Sequence, residues 1–330
     1  MVVRNEERHL RASVERVLAQ DYPAAIECVI AVGPSADRTD EVAAALAAAD
    51  RRVTVVANPT GRTATGLNAA LAACSPYPVV VRVDGHALLR EGYIRRAVEV
   101  LHETGADNVG GIMAAEGESP FECAVARAMT SPIGVGNARF HNGGAPGPVD
   151  TVYLGVFRRS VLEAVGGYDE RFTRAQDYEL NVRIREAGGV VWFTPDLQVT
   201  YRPRSTVRGL SRQYFEYGRW RWILTRQHPR SLRPRYLAAP VAVVGIVAGT
   251  AAGAAGWRPG WAAPAGYVAL LLGGSALVGR SLPRRALLRL PVALATMHLA
   301  WGAGFLTSMV RPADRASAAD AAAGLAMPST

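Results

Sequence analysis

Asp84 and His86 stand two residues apart, with Gly85 between them, at the end of the apolar run Val79–Val83. A carboxylate and an imidazole at that spacing can both reach one cation. Divalent ions that carry nucleotide phosphates take oxygen ligands, and manganese also accepts imidazole. Such a cation would neutralise a departing diphosphate. The plainer reading is a strand-terminal turn in which Asp84 accepts a backbone hydrogen bond. Far along the chain, Asp177 and Glu179 open an amphipathic pattern. There the local pattern favours an N-cap and a first-turn carboxylate. A second task open to Asp177 is to accept a proton from a hydroxyl. Ser35, Asp37 and Thr39 can cap the helix that follows them or help hold a nucleotide at its N-terminus. Gly61–Asn68 is either a plain loop or a further nucleotide contact.

Alternating strand and helix signals must position these groups. Asn5 can cap a helix whose Leu10, Val14, Val17 and Leu18 share one face. Ile26–Val32 is a short apolar run suited to a strand buried on both faces. A helix over Thr39–Ala49, a strand at Val53–Val56, a helix at Thr65–Ala73, the strand Val79–Val83, a helix at Tyr93–Glu103 and a strand at Val109–Met113 continue the series. This alternation predicts an α/β domain with a largely parallel sheet and helices on both faces. Ligands then bind beyond the carboxyl ends of the strands, where Asp84 and His86 lie. The Gly-, Pro- and Asn-rich stretch Ser131–Pro148 reads as a long loop over the site. Thr151–Phe157 reads as a strand, Val161–Val165 as a short helix, and Asp177–Ala187 as an amphipathic helix stopped by Gly188-Gly189.

The chain has 330 residues, 49% of them hydrophobic and 20% charged, with a formal net charge of +9. It contains no lysine, so arginine carries all the positive side-chain charge. No zinc finger, RNA-reading aromatic pattern or separate basic helix points to nucleic acid. The arginines near the apolar C-terminal segments favour a membrane. Leu210–Leu224 mixes aromatics with arginine, as a helix lying in the headgroup layer does. Leu237–Ala255, Trp261–Gly279 and Leu290–Val310 each approach the roughly 20 residues needed to cross a bilayer; the alternatives are one long hairpin with an interfacial helix, or buried core helices of a soluble domain. Trp257, Trp261 and Trp301 fall at or near segment ends, as interfacial aromatics do. Arg230, Arg233 and Arg235 precede the first segment, and Arg280, Arg284, Arg285 and Arg289 link the second to the third. The positive-inside tendency puts both groups, and the α/β domain, in the cytoplasm. The loop at Arg258 and the C-terminal tail then lie outside. Cys28, Cys74 and Cys123 lack metal-type spacing and read as reduced thiols. Met1-Val2-Val3 reads as the tail of a strand, which predicts a start further upstream.

In this order, Ser35-Ala36-Asp37-Arg38-Thr39, Arg82-Val83-Asp84-Gly85-His86 and Gln176-Asp177-Tyr178-Glu179 resemble the family 2 glycosyltransferases of GT-A fold. The resemblance covers roughly Met1 to Pro229. Arg82–Ala87, Ser131–Phe140 and Arg212–Gly218 resemble the succinoglycan glucosyltransferase-like branch of that family. The resemblance implies a GT-A domain over 1–205 with a mixed, mostly parallel sheet, and the residue patterns beyond it give an amphipathic interfacial region over 206–235, three transmembrane helices over 236–311 and a flexible tail over 312–330. It implies an inverting transfer from a nucleotide-sugar donor, with UDP as the default nucleotide. The acceptor would be a polyprenyl-linked glycan in bacterial exopolysaccharide or cell-envelope synthesis. Asp84 and His86 would hold Mn2+ or Mg2+, and Asp177 would be the base. Asn5, Ser35, Asp37, Asn68, Arg82 and Asp84 would face the donor. Arg139, Gln176, Glu179, Gln213, Arg219 and Trp220 would contact the acceptor or its phosphates. Other polysaccharide-assembly proteins are the expected partners; a non-catalytic membrane scaffold for such proteins is the alternative. This chain has Val32-Gly33-Pro34 where the family has one or two aspartates gripping base or ribose. It also lacks the Gln-x-x-Arg-Trp spacing of processive members, which implies a single addition.

Overall fold

A computed structural model describes residues 1–310 of the chain. The expected flexible tail lies outside the described residues. The elements run β1 (Val2–Val3), α1 (Leu10–Leu18), β2 (Cys28–Val32), α2 (Thr39–Ala49), β3 (Val53–Ala57), α3 (Thr63–Ala73), β4 (Val79–Val81), α4 (Tyr93–Thr104) and β5 (Asn108–Ala115). Then come α5 (Pro120–Met129), α6 (Pro132–Val135), α7 (Arg139–Asn142), β6 (Gly147–Pro148), β7 (Tyr153–Arg158), α8 (Arg159–Ala164), α9 (Gln176–Glu186) and β8 (Val191–Tyr201). The rest is helical: α10 (Val207–Gln227), α11 (Ala238–Ala254), α12 (Ala262–Val278), α13 (Arg284–Leu287) and α14 (Leu290–Val310). Two compact units result. One joins Met1–Ala114 to Gly143–Thr200; the other joins Ala115–Asn142 to the described residues from Tyr201 onward.

In the first unit β1, β2 and β3 pair in parallel. The second sheet has the order β4-β7-β5-β8-β6, and β7 runs antiparallel to both β4 and β5. A single parallel bridge, Val2 to Asp84, links the two sheets just where β4 ends. The strand pairing is therefore mixed, parallel within β1–β3 and antiparallel where β7 meets β4 and β5 and where β6 meets β8. Alternating sequence signals could not show this, because β7 and β8 return from later in the chain. Leu10, Ile30, Leu89 and Leu101 are at most 1% exposed in one shared core. Burying each side chain stabilises by roughly 1.5–3 kcal/mol. Helix α4 shows how a sequence makes such an element. Its Tyr93, Ile94, Ala97, Val98, Val100 and Leu101 form the buried stripe, and Gly105 ends it in the left-handed conformation at φ 68°.

The second unit is helical. Ser119 and Glu122 close a reciprocal capping box at the start of α5, a helix the sequence reading passed over. The stretch expected as a loop over the site instead carries two short helices, α6 and α7, before Gly143. Ser131 accepts from the Gly134 N–H at 3.2 Å and Pro132 opens α6, with α7 following. Three helical stretches, Pro234–Ala254, Arg258–Val278 and Arg284–Val310, are long and apolar enough to cross a membrane. The first two are mostly outward-facing, whereas α14 packs on α5, α6, α10, α11, α12 and α13.

Helix α10 is not a lone surface amphipath. Its stripe Leu210, Tyr214, Gly218 and Leu224 is buried, and α14 covers that face. The two backbones nearly touch. A Cβ on Gly218 would fall 1.9 Å from the Trp301 carbonyl oxygen, and one on Gly304 would fall 2.0 Å from that of Phe215. Reciprocal glycines of this kind let helices approach closely. Trp301 accordingly lies in the middle of α14, stacked on Phe305 with centroids 5.5 Å apart, and not at a helix end.

Candidate active site

The centre of the first unit's site is a buried guanidinium. Arg82 is 8% exposed, and its Nη2 donates to Asp84 Oδ1 at 3.1 Å. Its Nη1 donates to Asp177 Oδ1. Two acids distant in sequence thus hang on one fork, as the planar guanidinium allows. The carboxylates reach solvent, at 28% and 34% side-chain exposure, while the guanidinium does not. Burial works against the charge of Arg82, but Asp84, together with Tyr168 and Tyr153, outweighs this and raises its pKa. The Nε of Arg82 is buried without a hydrogen-bond partner.

Each arm of the fork has a local cause. Asp84 leaves β4 into a turn held by Ser13 of α1, whose hydroxyl donates to the Ala87 carbonyl at 2.7 Å and the Asp84 carbonyl at 3.3 Å. Gly85 is needed there, since a Cβ would meet Val3 Cγ1 at 2.7 Å. Asp177 is not the N-cap of α9. Ala175 holds that place at φ 58°, with no side-chain cap, and Asp177 occupies the second helical position. Its carboxylate turns to Arg82 instead.

His86 lies beside this fork in sequence and meets Glu6, its Nδ1 2.8 Å from Glu6 Oε1. Among the described residues no three His, Cys, Asp or Glu side chains gather as a metal cage. Asp84 keeps a carboxylate that reaches solvent and His86 an exposed ring, donor types that a diphosphate-borne cation using one or two protein ligands would accept.

The other expected donor residues divide. Asn5, at φ 56°, does not cap α1; its Oδ1 accepts from the Ala36 N–H at 2.7 Å, and its N–H donates to Ser35 Oγ at 3.1 Å. Asp37 accepts from the Thr39 N–H and the Glu7 N–H, each at 3.1 Å, and so ties the chain after β1 to the start of α2. Burial pushes its carboxyl up, but hydrogen bonds from Thr39 and Glu7 outweigh this and hold it below the usual carboxylate range. Asn58 and Asn68 brace loops. The Asn68 amide donates to the Tyr168 carbonyl at 2.8 Å and to Glu170 at 3.0 Å, and accepts from the Tyr168 N–H at 2.8 Å. That amide is used internally, which argues against the donor contact expected of it.

The acceptor candidates divide between α9 in the first unit and residues of the second unit. Glu179 is 1% exposed and ion-paired to Arg183, which in turn donates to the Val165 and Gly167 carbonyls. Buried there, it braces α9 and does not face an acceptor. Its neighbour Gln176 is 9% exposed. In the second unit, Arg139 is exposed on α7, and Gln213 donates to the Tyr201 and Tyr217 hydroxyls at 2.8 and 2.9 Å. Arg219 pairs with Glu216 at 3.4 Å, and Trp220 is 5% exposed, buried within its unit and away from solvent. The reading missed Glu6. Its partner His86 stands 80 residues away, and no local pattern joins the two.

The sequence profile of the Glycosyl transferase family 2 matches residues 1–166. The succinoglycan biosynthesis protein ExoA of Rhizobium meliloti (strain 1021) is 34% identical over 307 residues, which is 91% of each chain. Among solved structures, the mannosyltransferase PcManGT from Pyrobaculum calidifontis, in complex with GDP-Man and Mn2+, aligns at a TM-score of 0.64. It shares 21% identity, over 94% of this chain and 85% of that one. Residues 1–349 of TarS from S. aureus align at a TM-score of 0.52 and 13% identity, over 93% of this chain and 89% of that one. At those identities the two structures speak to the fold, which is GT-A.

Proposed function

Because the chain belongs to glycosyl transferase family 2, we propose that this glycosyltransferase moves a sugar with inversion from a nucleotide-sugar donor to a lipid-linked acceptor in exopolysaccharide synthesis. UDP is the default nucleotide. The observation that carries the reading is the shared fork, Asp84 and Asp177 on one guanidinium with both carboxylates reaching solvent. Asp84 and His86 hold the donor side. A divalent cation bound there supplies charge neutralisation to the diphosphate. Asp177 takes the proton of the acceptor hydroxyl. The acceptor oxygen bonds to the anomeric carbon from the face opposite the nucleotide, and the bond from that carbon to the diphosphate oxygen breaks. A base aligned on a neutral hydroxyl contributes on the order of 10²–10⁴ in rate. The three apolar helices and the flanking arginines support a membrane enzyme whose catalytic unit faces the cytoplasm.

The test uses membranes, a panel of sugar nucleotides and polyprenyl-diphosphate acceptors. Asp177→Asn is expected to bind donor and transfer almost nothing. Asp84→Ala is expected to lose metal-dependent donor binding. Wild-type turnover by Asp177→Asn would remove the base assignment.

A further inference from the structure

We propose that Arg82 is a shared latch: it holds Asp84 in the donor-free enzyme, yields it to the incoming cation, and keeps Asp177 in place throughout. The proposal rests on the reading of Asp84 as the cation-holding acid and Asp177 as the base. Three observations carry it. The guanidinium is 8% exposed, so it is an interior group and not a surface arm reaching for ligands. One nitrogen binds each acid, at Asp84 Oδ1 and at Asp177 Oδ1. The third nitrogen, Nε, is buried and has no hydrogen-bond partner, so the ion pairs alone compensate the buried charge.

The consequence is a competition. A cation that takes Asp84 must displace or face Arg82 Nη2, because like charges repel strongly at such range. When Asp84 turns to the cation, the guanidinium retains its bond to Asp177. The base therefore stays oriented by an interior group while the donor side fills. Arg82 is on this account a positioning residue that touches neither sugar nor acceptor. An arginine suits the task because two acids need two donors in a fixed plane, and a lysine ammonium offers only a point charge.

The experiment measures Mn2+ binding to the full-length, detergent-solubilised protein by electron paramagnetic resonance, without nucleotide, together with sugar transfer. Four proteins are compared: wild type, Arg82→Met, Arg82→Lys and Asp84→Asn. Arg82→Met is expected to bind Mn2+ about tenfold more tightly, since the competing cation is gone. Its transfer is expected to fall about a hundredfold or more, the scale of a misplaced general base. A purely structural arginine would give weaker binding or none on removal. Equal or weaker Mn2+ binding by Arg82→Met overturns the latch. Tighter binding with wild-type transfer overturns the link to Asp177. If Arg82→Met does not fold, Arg82→Lys decides: Mn2+ binding near wild type with transfer down about tenfold supports the latch, and wild-type transfer overturns it. Asp84→Asn separates the two readings. If it still binds Mn2+ like wild type, the cation site itself is wrong. If it loses binding while Arg82→Met equals wild type, the site stands and the latch falls.

Discussion

The Glu6–His86 contact sets the orientation of one imidazole. With Nδ1 held by a carboxylate at 2.8 Å, the ring has a preferred tautomer and rotamer. Glu6→Gln is therefore expected to weaken Mn2+ affinity by about tenfold and leave the melting temperature near wild type; titration calorimetry with Mn2+ checks it. Unchanged affinity would make the contact incidental. The pair Asp84 and His86 was readable because two residues on one strand end need no fold to bring them together. Asp177 was readable as an acid at a helix start, and local pattern then favoured the wrong job, since capping is the commonest use of aspartate there. Ala175, in the left-handed conformation, occupies the cap and frees the carboxylate. Asn68 and Glu179 resemble ligands in sequence, but Tyr168, 100 residues away, claims the first, and Arg183, one helical turn on, claims the second, a local pairing the reading did not weigh.

Helices met the sequence reading more closely than the segments between them. Periodicity announced α2 over its full length, and Gly188-Gly189 marked where α9 stops. The reading lost α5 although Ser119 and Glu122 carry a local capping signal, and it lost α6 and β8 as well. Two elements carry predictions. Gly218→Ala puts a methyl group against the Trp301 carbonyl and is expected to cost roughly 1–3 kcal/mol. Gly245→Ala on α11 meets nothing within 4 Å and is expected to change stability little. Thermal unfolding in one detergent compares them; equal losses would argue against tight α10–α14 packing. The second concerns α7. Burial first, and then the Arg235 charge, lower the His141 pKa from the ordinary 6.5 to about 3. Below 6.5 the unfolded chain takes up a proton there that the folded chain refuses until about pH 3. Stability is thus lost as pH falls through that window. Between pH 6.5 and about 5, the melting temperature of the wild type should drop faster than that of His141→Phe. Parallel curves would dismiss the histidine as the cause.

Charge is distributed unevenly over the whole molecule. Residues 201–310 contain fifteen arginines and one acid, Glu216. Most of these arginines flank the apolar helices, so a single orientation in the bilayer is expected. In a background lacking native cysteines, Arg284→Cys should react with a membrane-impermeant maleimide only after the cells are opened, and Arg258→Cys should react in intact cells. The reverse pattern would invert the topology. The apolar segments and their arginine flanks were legible because length and hydropathy are local. That α14 packs on most of the second unit was not, because its first two fellow spans have nearly the same composition. Translation gives this arrangement a further meaning. The helix on which α5, α6, α10, α11 and α12 converge is the last described one to emerge from the ribosome. Until it arrives, the faces that α5, α6, α10, α11 and α12 turn toward it stay uncovered, and a nascent product stopped before Leu290 would present them to the cell's quality-control proteases.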